Sequence, residues 1–321
     1  MKVDLLNRDM VDSDLGVVNA ARCSFDKMSD WIYLPENPEA HTIEERVLSE
    51  KDEKLITYLA THNHWTPFAH AQEVFNISMT QKEQNQFLLY ANLSGFEWST
   101  PSTSWQVRGS LYSWLTNSDY LPVGIETVIL SLLYRKYPIS VEAIMGSKPI
   151  PGLEAMSSKV QYIGNPACPE CMSYTLRLHV PIFVKRQLET HRRNFVMTDI
   201  DDWSQNEVSR RYVDSDPEFY VPQQWRLQST DKKQGSSDSI VTGIEKYITD
   251  MNYNSHIHNS ILYYQSMNNR GIAHEQSRLV LPVSTYTTFW WTGSLKSWRR
   301  MFTLRLDSHT QSETQQVAQM C

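Results

Sequence analysis

The chain has 321 residues, 40% hydrophobic and 21% charged, enough apolar material for a core in one large domain or two small ones. A formal net charge of -6 excludes a broad basic face for duplex nucleic acid, though not a local basic pocket around one phosphate. No apolar run approaches the ~20 residues that span a bilayer. The opening stretch MKVDLLNRDMVDSD has no secretory apolar segment, and Cys23, Cys168, Cys171 and Cys321 form no disulfide framework, so a cytoplasmic chain without a membrane partner is expected.

Lys2 to Leu6 is predicted as a strand and Leu15 to Ala21 as a short helix. Glu53 to Thr61 is predicted as a helix with Leu55, Ile56 and Leu59 on one side, running into the histidine-rich turn His62 to Pro67. A strand is expected at Glu73 to Met79, and the aromatic-rich residues on to about 120 fit no single element. Val123 to Tyr134 is predicted helical, whereas 145–173, carrying Pro149, Pro151, Pro166 and Pro169, is loop-like. The clearest strand is Tyr174 to Val180, where Tyr174, Leu176, Leu178 and Val180 alternate with Thr175, Arg177 and His179. Pro181 then opens a helix from Ile182 to about Arg193, at a position where its missing N–H costs nothing. Gln228 to Ser239 is a polar loop, and helical patterning returns from Ile240 to Met267. Gly271 interrupts it, Pro282 ends a short continuation, Val283 to Thr292 is β-rich, and Leu295 to about Gln319 is one long final helix. Strands and helices without regular βαβ repetition give an α+β fold in a single domain, 1–321. A short echo, Gly109-Ser-Leu-Tyr-Ser-Trp114 against Gly293-Ser-Leu-Lys-Ser-Trp298, is too brief to claim a duplication and reads as chance or shared helix-start chemistry.

On the final helix, Leu295, Trp298, Met301, Phe302, Arg305 and His309 fall on one stripe. Arg305 therefore sits on an apolar face, where an unpaired guanidinium costs several kcal/mol, so it belongs either to a buried salt bridge or to an anionic or polarised ligand. His309 taken alone is a satisfied core histidine. Phe183, Gln187, Thr190 and His191 share one helix face. Downstream, Arg192, Arg210 and Arg211 offer the fork geometry that grips a phosphate, with Asn206 and Glu207 beside them; a solvated charged loop is the alternative. Cys168-Pro-Glu-Cys171 lacks the second ligand pair of a structural zinc site, so a turn with two incidental thiols and no metal is expected, with a zinc site shared between subunits as the alternative.

Several blocks, in order, resemble flavin-dependent thymidylate synthases: Ala20 to Asp26, His62 to His70, His179 to Gln187 with Thr190-His-Arg192, Asn206 to Tyr212, Glu218 to Pro222, Arg278 to Pro282, Thr288 to Gly293 and Leu304 to His309. The resemblance implies an α+β fold with a mixed or antiparallel sheet packed with long helices, assembled as a homotetramer with sites at subunit interfaces. It implies reductive methylation of dUMP to dTMP, with 5,10-methylenetetrahydrofolate as carbon donor and FAD, reduced by NADPH, as hydride source. Arg305 would lie against the uracil ring as the catalytic residue, promoting ionisation at N3. Gln187, Glu207, Ser209, Arg210, Arg211 and Arg278 would hold dUMP. Ser24, His64, Thr66, Thr190, His191, Arg192 and Glu207 would contact FAD, as would Ser294, Lys296 and Arg300.

The chain also departs from the family pattern. Thr190 stands where the signature has arginine, and residues 193–208 separate Arg192 from Ser209, more than the family's spacing, bringing Asp199, Asp201 and Asp202 with them. Ser294, Lys296 and Arg300 replace the usual Asn, Arg and Asn. The family core is expected over 1–70 and 174–319, with 71–173 an insertion of the surface or assembly kind. Two other readings stay open: a flavin enzyme that leaves a hydroxymethyl group on dUMP, and a non-catalytic nucleotide-binding homologue.

Overall fold

Four serines set helix starts along the chain. The hydroxyls of Ser13, Ser49, Ser110 and Ser294 each accept the backbone N–H three residues ahead, and helices begin at Asp14, Glu50, Leu111 and Leu295. The computed structural model describes residues 1–33, 46–91, 96–99, 104–122, 124–146, 148, 159–164, 166, 171–190, 204–213, 215–230 and 236–321.

From the N-terminus, β1 (Lys2–Leu5) leads through α1 (Arg8–Val11) and α2 (Asp14–Arg22) to a small hairpin of β2 (Ile32–Tyr33) and β3 (Arg46–Val47). Next come α3 (Glu50–Thr61), β4 (Gln72–Ile77), α4 (Gln81–Ala91), β5 (Glu97–Ser99) and β6 (Trp105–Ser110). Helices α5 (Leu111–Thr116), α6 (Ile125–Lys136) and α7 (Pro138–Met145) follow, then β7 (Val160–Tyr162). The second half holds β8 (Ser173–Pro181), α8 (Ile182–Leu188), β9 (Ser204–Glu207) and a hairpin of β10 (Arg226–Gln228) and β11 (Ser236–Ile240). It closes with α9 (Gly243–Asn269), α10 (His274–Ser277), β12 (Tyr286–Ser294), α11 (Leu295–Arg305) and α12 (Ser312–Met320).

Two four-stranded sheets organise these elements, ordered β1-β8-β12-β9 and β5-β6-β4-β7. Every pairing in them is antiparallel, so the α+β expectation holds. Each sheet has its own core. Phe68, Phe75, Ile77, Trp114, Ile129 and Tyr137 are among the buried residues of the first, which also takes Val17, Val18 and Ile56 from the N-terminal helices. Leu178, Val184, Phe289, Trp291, Trp298 and Met301 anchor the second. Residues from 71–173 thus supply the greater part of a core rather than a surface appendage. The buried Asp14 ties α2 to α7: its carboxylate accepts the N–H groups of Ile139 and Ser140, each at 3.0 Å, at the helix start. Burial pushes that carboxyl up to about 6. Gly16 lies so close to α1 that an added Cβ would come within 2.0 Å of the Val11 carbonyl oxygen.

The predicted strand at Tyr174 to Val180 is β8, one residue longer at each end. Three expectations change. The final helix is two: after Arg305 the Asp307 carboxylate accepts the His309 N–H at 2.8 Å, an Asx turn that competes with the helical ladder, and a second helix restarts at Ser312. His309 is therefore exposed, bonded to Asp307 and away from any core. The polar tract from Gln228 to Ser239 ends in β11, which pairs with β10. The short β7 lies inside the stretch expected to be loop. Among the described residues, no helix is long and apolar enough to cross a membrane.

Candidate active site

Strand β9 pairs with the outer edge of β12, setting Asn206 opposite Trp290 and Glu207 opposite Phe289. The chain then leaves the sheet in a fixed turn: Val208 N–H donates to the Thr288 carbonyl at 2.8 Å, Ser209 N–H to the Ser24 carbonyl at 2.9 Å, and Tyr212 N–H to the Ser209 carbonyl at 2.9 Å. This turn forms one wall of a cleft of about 600 Å³. Ser209, Arg210 and Arg211 come from the turn, Arg186 from α8, Arg278 from the segment after α10, and Ser24 and Asp26 from the end of α2.

The electrostatics favour an anion. Four arginines line the cleft together with Asp26, Glu207, Asp216 and Glu218, but these acids have other partners. Glu207 is held by Lys185 at 3.1 Å and accepts from the Thr287 hydroxyl at 2.6 Å. Glu218 lies 3.2 Å from the His179 ring, and Asp26 3.6 Å from Arg177. Arg210 donates to the Ser215 carbonyl. Arg211 lies over the Tyr212 ring, 5.0 Å from its centroid, and Tyr212 stacks on Phe25 at 4.7 Å. Arg186 and Arg278 are exposed and have no ion-pair partner among the described residues. Guanidiniums lining one cleft, with these acids held by other groups, offer the forked donors that a phosphate-type anion accepts from.

Of the residues expected around dUMP, Glu207, Ser209, Arg210, Arg211 and Arg278 line this cleft. Gln187 and Arg305 do not. They form a second cluster in which Arg305 donates to the Gln187 carbonyl at 2.7 Å and to the Thr190 hydroxyl at 2.5 Å. The Gln187 side chain bonds Gln311 and the Thr314 hydroxyl. Partial burial lowers the Arg305 pKa. Of the residues expected around FAD, Ser24 and Glu207 line the cleft. His64 and Thr66 are exposed beyond α3, with His64 edge-on to Tyr58 at 6.0 Å, and Lys296 and Arg300 are exposed on α11. Ser294 is fully buried, and its hydroxyl is engaged in capping α11. His191 and Arg192 lie outside the described residues, as do Cys168 and the three acids at 199, 201 and 202. No cluster of metal-ligating side chains occurs among the described residues.

Sequence reasoning missed Arg186, Asp26 and His70 as site residues. Arg186 stands beside Lys185 in a quoted motif, yet only the fold shows it facing the cleft while Lys185 is buried. His70 is fully buried; its ring bonds the Thr292 hydroxyl at 2.6 Å and the Asn206 amide oxygen at 3.1 Å. Burial pushes its pKa down to about 4, so it is neutral and anchors β9 one residue from Glu207.

Residues 158–321 match the family model described as thymidylate synthase complementing protein. A flavin-dependent thymidylate synthase from Thermosipho melanesiensis is 36% identical over 149 residues, covering 46% of this chain and 61% of that protein. One from Aquifex aeolicus is 27% identical over 328 aligned positions, 97% of this chain and 93% of that protein. A crystal structure of the UMP/dUMP methylase PolB from Streptomyces cacaoi bound with 5-Br dUMP covers 99% of this chain and 86% of that one, at 20% identity and a TM-score of 0.38. The match spans about three fifths of the length of the Thermosipho relatives.

Proposed function

Because the chain belongs to the thymidylate synthase complementing protein family, we propose that it is a methyltransferase converting dUMP to dTMP in a flavin-dependent reaction. The observation that carries the reading is the cleft, where Ser209, Arg210 and Arg211 of the Asn206-to-Tyr212 segment converge with Arg186 and Arg278. A nucleotide monophosphate fits such a receptor, its phosphate meeting the guanidinium forks and the Ser209 hydroxyl. Arg305 is proposed to face the uracil ring when the site is assembled, stabilising charge that develops on N3 and the carbonyl oxygens and so raising the electron density at C5. The Gln187 carbonyl and Thr190 hydroxyl hold its guanidinium in place.

No cysteine nucleophile takes part in this scheme, and the burial of Cys23 and Cys171 is consistent with that. Burial pushes Cys23 up to about 12, far from thiolate at neutral pH, and Cys171 is fully buried. The expected FAD residues are spread over the cleft, the end of α3, the end of α8 and α11. They fit a dinucleotide only if another copy of the chain completes the site, so a homotetramer with shared sites is part of the proposal. When bound, reduced FAD supplies the hydride that completes the methyl group, with NADPH as reductant and 5,10-methylenetetrahydrofolate as carbon donor. Protein incubated with all four should release dTMP, identified by chromatography and mass. No product, or 5-hydroxymethyl-dUMP instead, overturns the reading.

A further inference from the structure

The two sheets are the same object built twice. Read from the other edge, β7-β4-β6-β5 corresponds strand for strand to β1-β8-β12-β9. Glu73 pairs with Gly109 as Tyr174 pairs with Gly293. From there the hydrogen bonds correspond one by one. The Trp114 indole donates to the Glu73 carbonyl at 3.2 Å, and the Trp298 indole to the Tyr174 carbonyl at 3.2 Å. Ser110 caps α5 as Ser294 caps α11, and Leu111 N–H meets the Ala71 carbonyl as Leu295 N–H meets that of Met172, both at 2.9 Å. The echo of Gly-Ser-Leu-x-Ser-Trp is therefore the visible end of an extended repeat. The outer strands are exchanged: β1 precedes β4 in the chain but pairs with β8, while β7 precedes β8 but pairs with β4. Leu6 N–H donates to Thr175 and Ile163 N–H to Val74, the matching carbonyls, again both at 2.9 Å.

The candidate site is built across this exchange. Its arginines stand on the second copy, but Ser24 and Asp26 come from the segment between β1 and β4 of the first. That segment also reaches over through Cys23 to the Asn206 carbonyl, and through Thr66, whose carbonyl accepts from Ser204. The mirror position lacks both parts. In register, Gln84 and Asn85 of α4 replace Lys185 and Arg186, and the chain from Ser99 to Val107 contains no basic residue. Between β7 and β8, residues 163–172 stand where the first copy has 6–71, leaving no counterpart of α2 and α3.

We propose that the chain is two copies of one folding unit fused head to tail, with a single nucleotide site built across both and its mirror lost. The part of 71–173 that precedes β7 then belongs to the first copy instead of being an insertion, and β7 with residues 163–172 opens the second. The one-site count rests on the dUMP reading above; the fusion does not. Equilibrium dialysis of the full chain with labelled dUMP at saturation, FAD present, should give one dUMP per chain. Two per chain overturns the lost mirror, and none overturns the dUMP reading and the site count with it. The strand exchange on which the fusion rests is judged separately by cross-linking in a Cys168→Ser, Cys321→Ser background. Asp4→Cys with Arg177→Cys, and Asn76→Cys with Gln161→Cys, place cysteines at directly paired strand positions, close enough for a disulfide. Both pairs should close within one chain and migrate at single-chain length without reductant. Closure between chains, or failure of both pairs to close in folded protein, overturns the exchange.

Discussion

His70 is where mild acid should first weaken the fold. Its ring is fully buried between Thr292 and Asn206, edge-on to Trp290 at 6.0 Å, and burial lowers its pKa from 6.5 to about 4. Between those values the unfolded chain binds a proton that the folded chain refuses, so stability rises with pH across the window. The contribution is complete above about 6.5 and is lost as pH falls towards 4. A difference of roughly 2.5 in pKa corresponds to about 3 kcal/mol over the whole window, and to about 2 kcal/mol lost by pH 5. The variant His70→Gln removes the titrating group while keeping an amide donor for the Asn206 oxygen. Urea unfolding at pH 7.5 and pH 5.0 should show the parent losing about 2 kcal/mol more than the variant over that interval. At pH 7.5 the variant itself should be weaker by about 1–2 kcal/mol, from the bond to Thr292 that glutamine does not reproduce. An equal acid loss in both proteins would show that the ring is charged in the fold or open to solvent, and the argument would fail.

Arg305→Ala should abolish dTMP formation while far-UV circular dichroism and the melting temperature stay near those of the parent; an active variant would remove Arg305 from the chemistry. Arg211→Ala should weaken dUMP binding at least tenfold by calorimetry, the loss of one charge-assisted contact of about 1.5–3 kcal/mol, and unchanged affinity would take it out of the cleft. Ser294→Ala removes the cap of α11 and should cost about 1 kcal/mol in urea unfolding. Gly16→Ala sets a Cβ against the Val11 carbonyl and should leave little folded protein, read as a collapse of soluble yield against the parent.

The sequence was most legible where one local rule acted alone. Alternation from Tyr174 to Val180 gave β8, and Pro181 marked the start of α8 at Ile182. The polar segment around Asn206 to Tyr212 lines a cleft because its donors had no apolar pattern to satisfy. Legibility failed where distant contacts decide. Nothing beside His70 announces that Thr292 and Asn206, far along the chain, will close over it. The break after Arg305 turns on one carboxylate, Asp307, competing with a backbone bond. The residues after the strand predicted at Glu73 to Met79, on to about 120, fitted no single element because short strands and helices alternate there and are buried on more than one side.

The crossing of β1 and β7 ties the fates of the two cores together. Peeling β1 from its neighbour strips an edge from the distant sheet, and freeing β7 does the same in reverse, so neither half has a private route to melting. Heat should therefore undo the molecule in one step, with calorimetric and van't Hoff enthalpies agreeing, although the chain is long enough for two independently melting bodies.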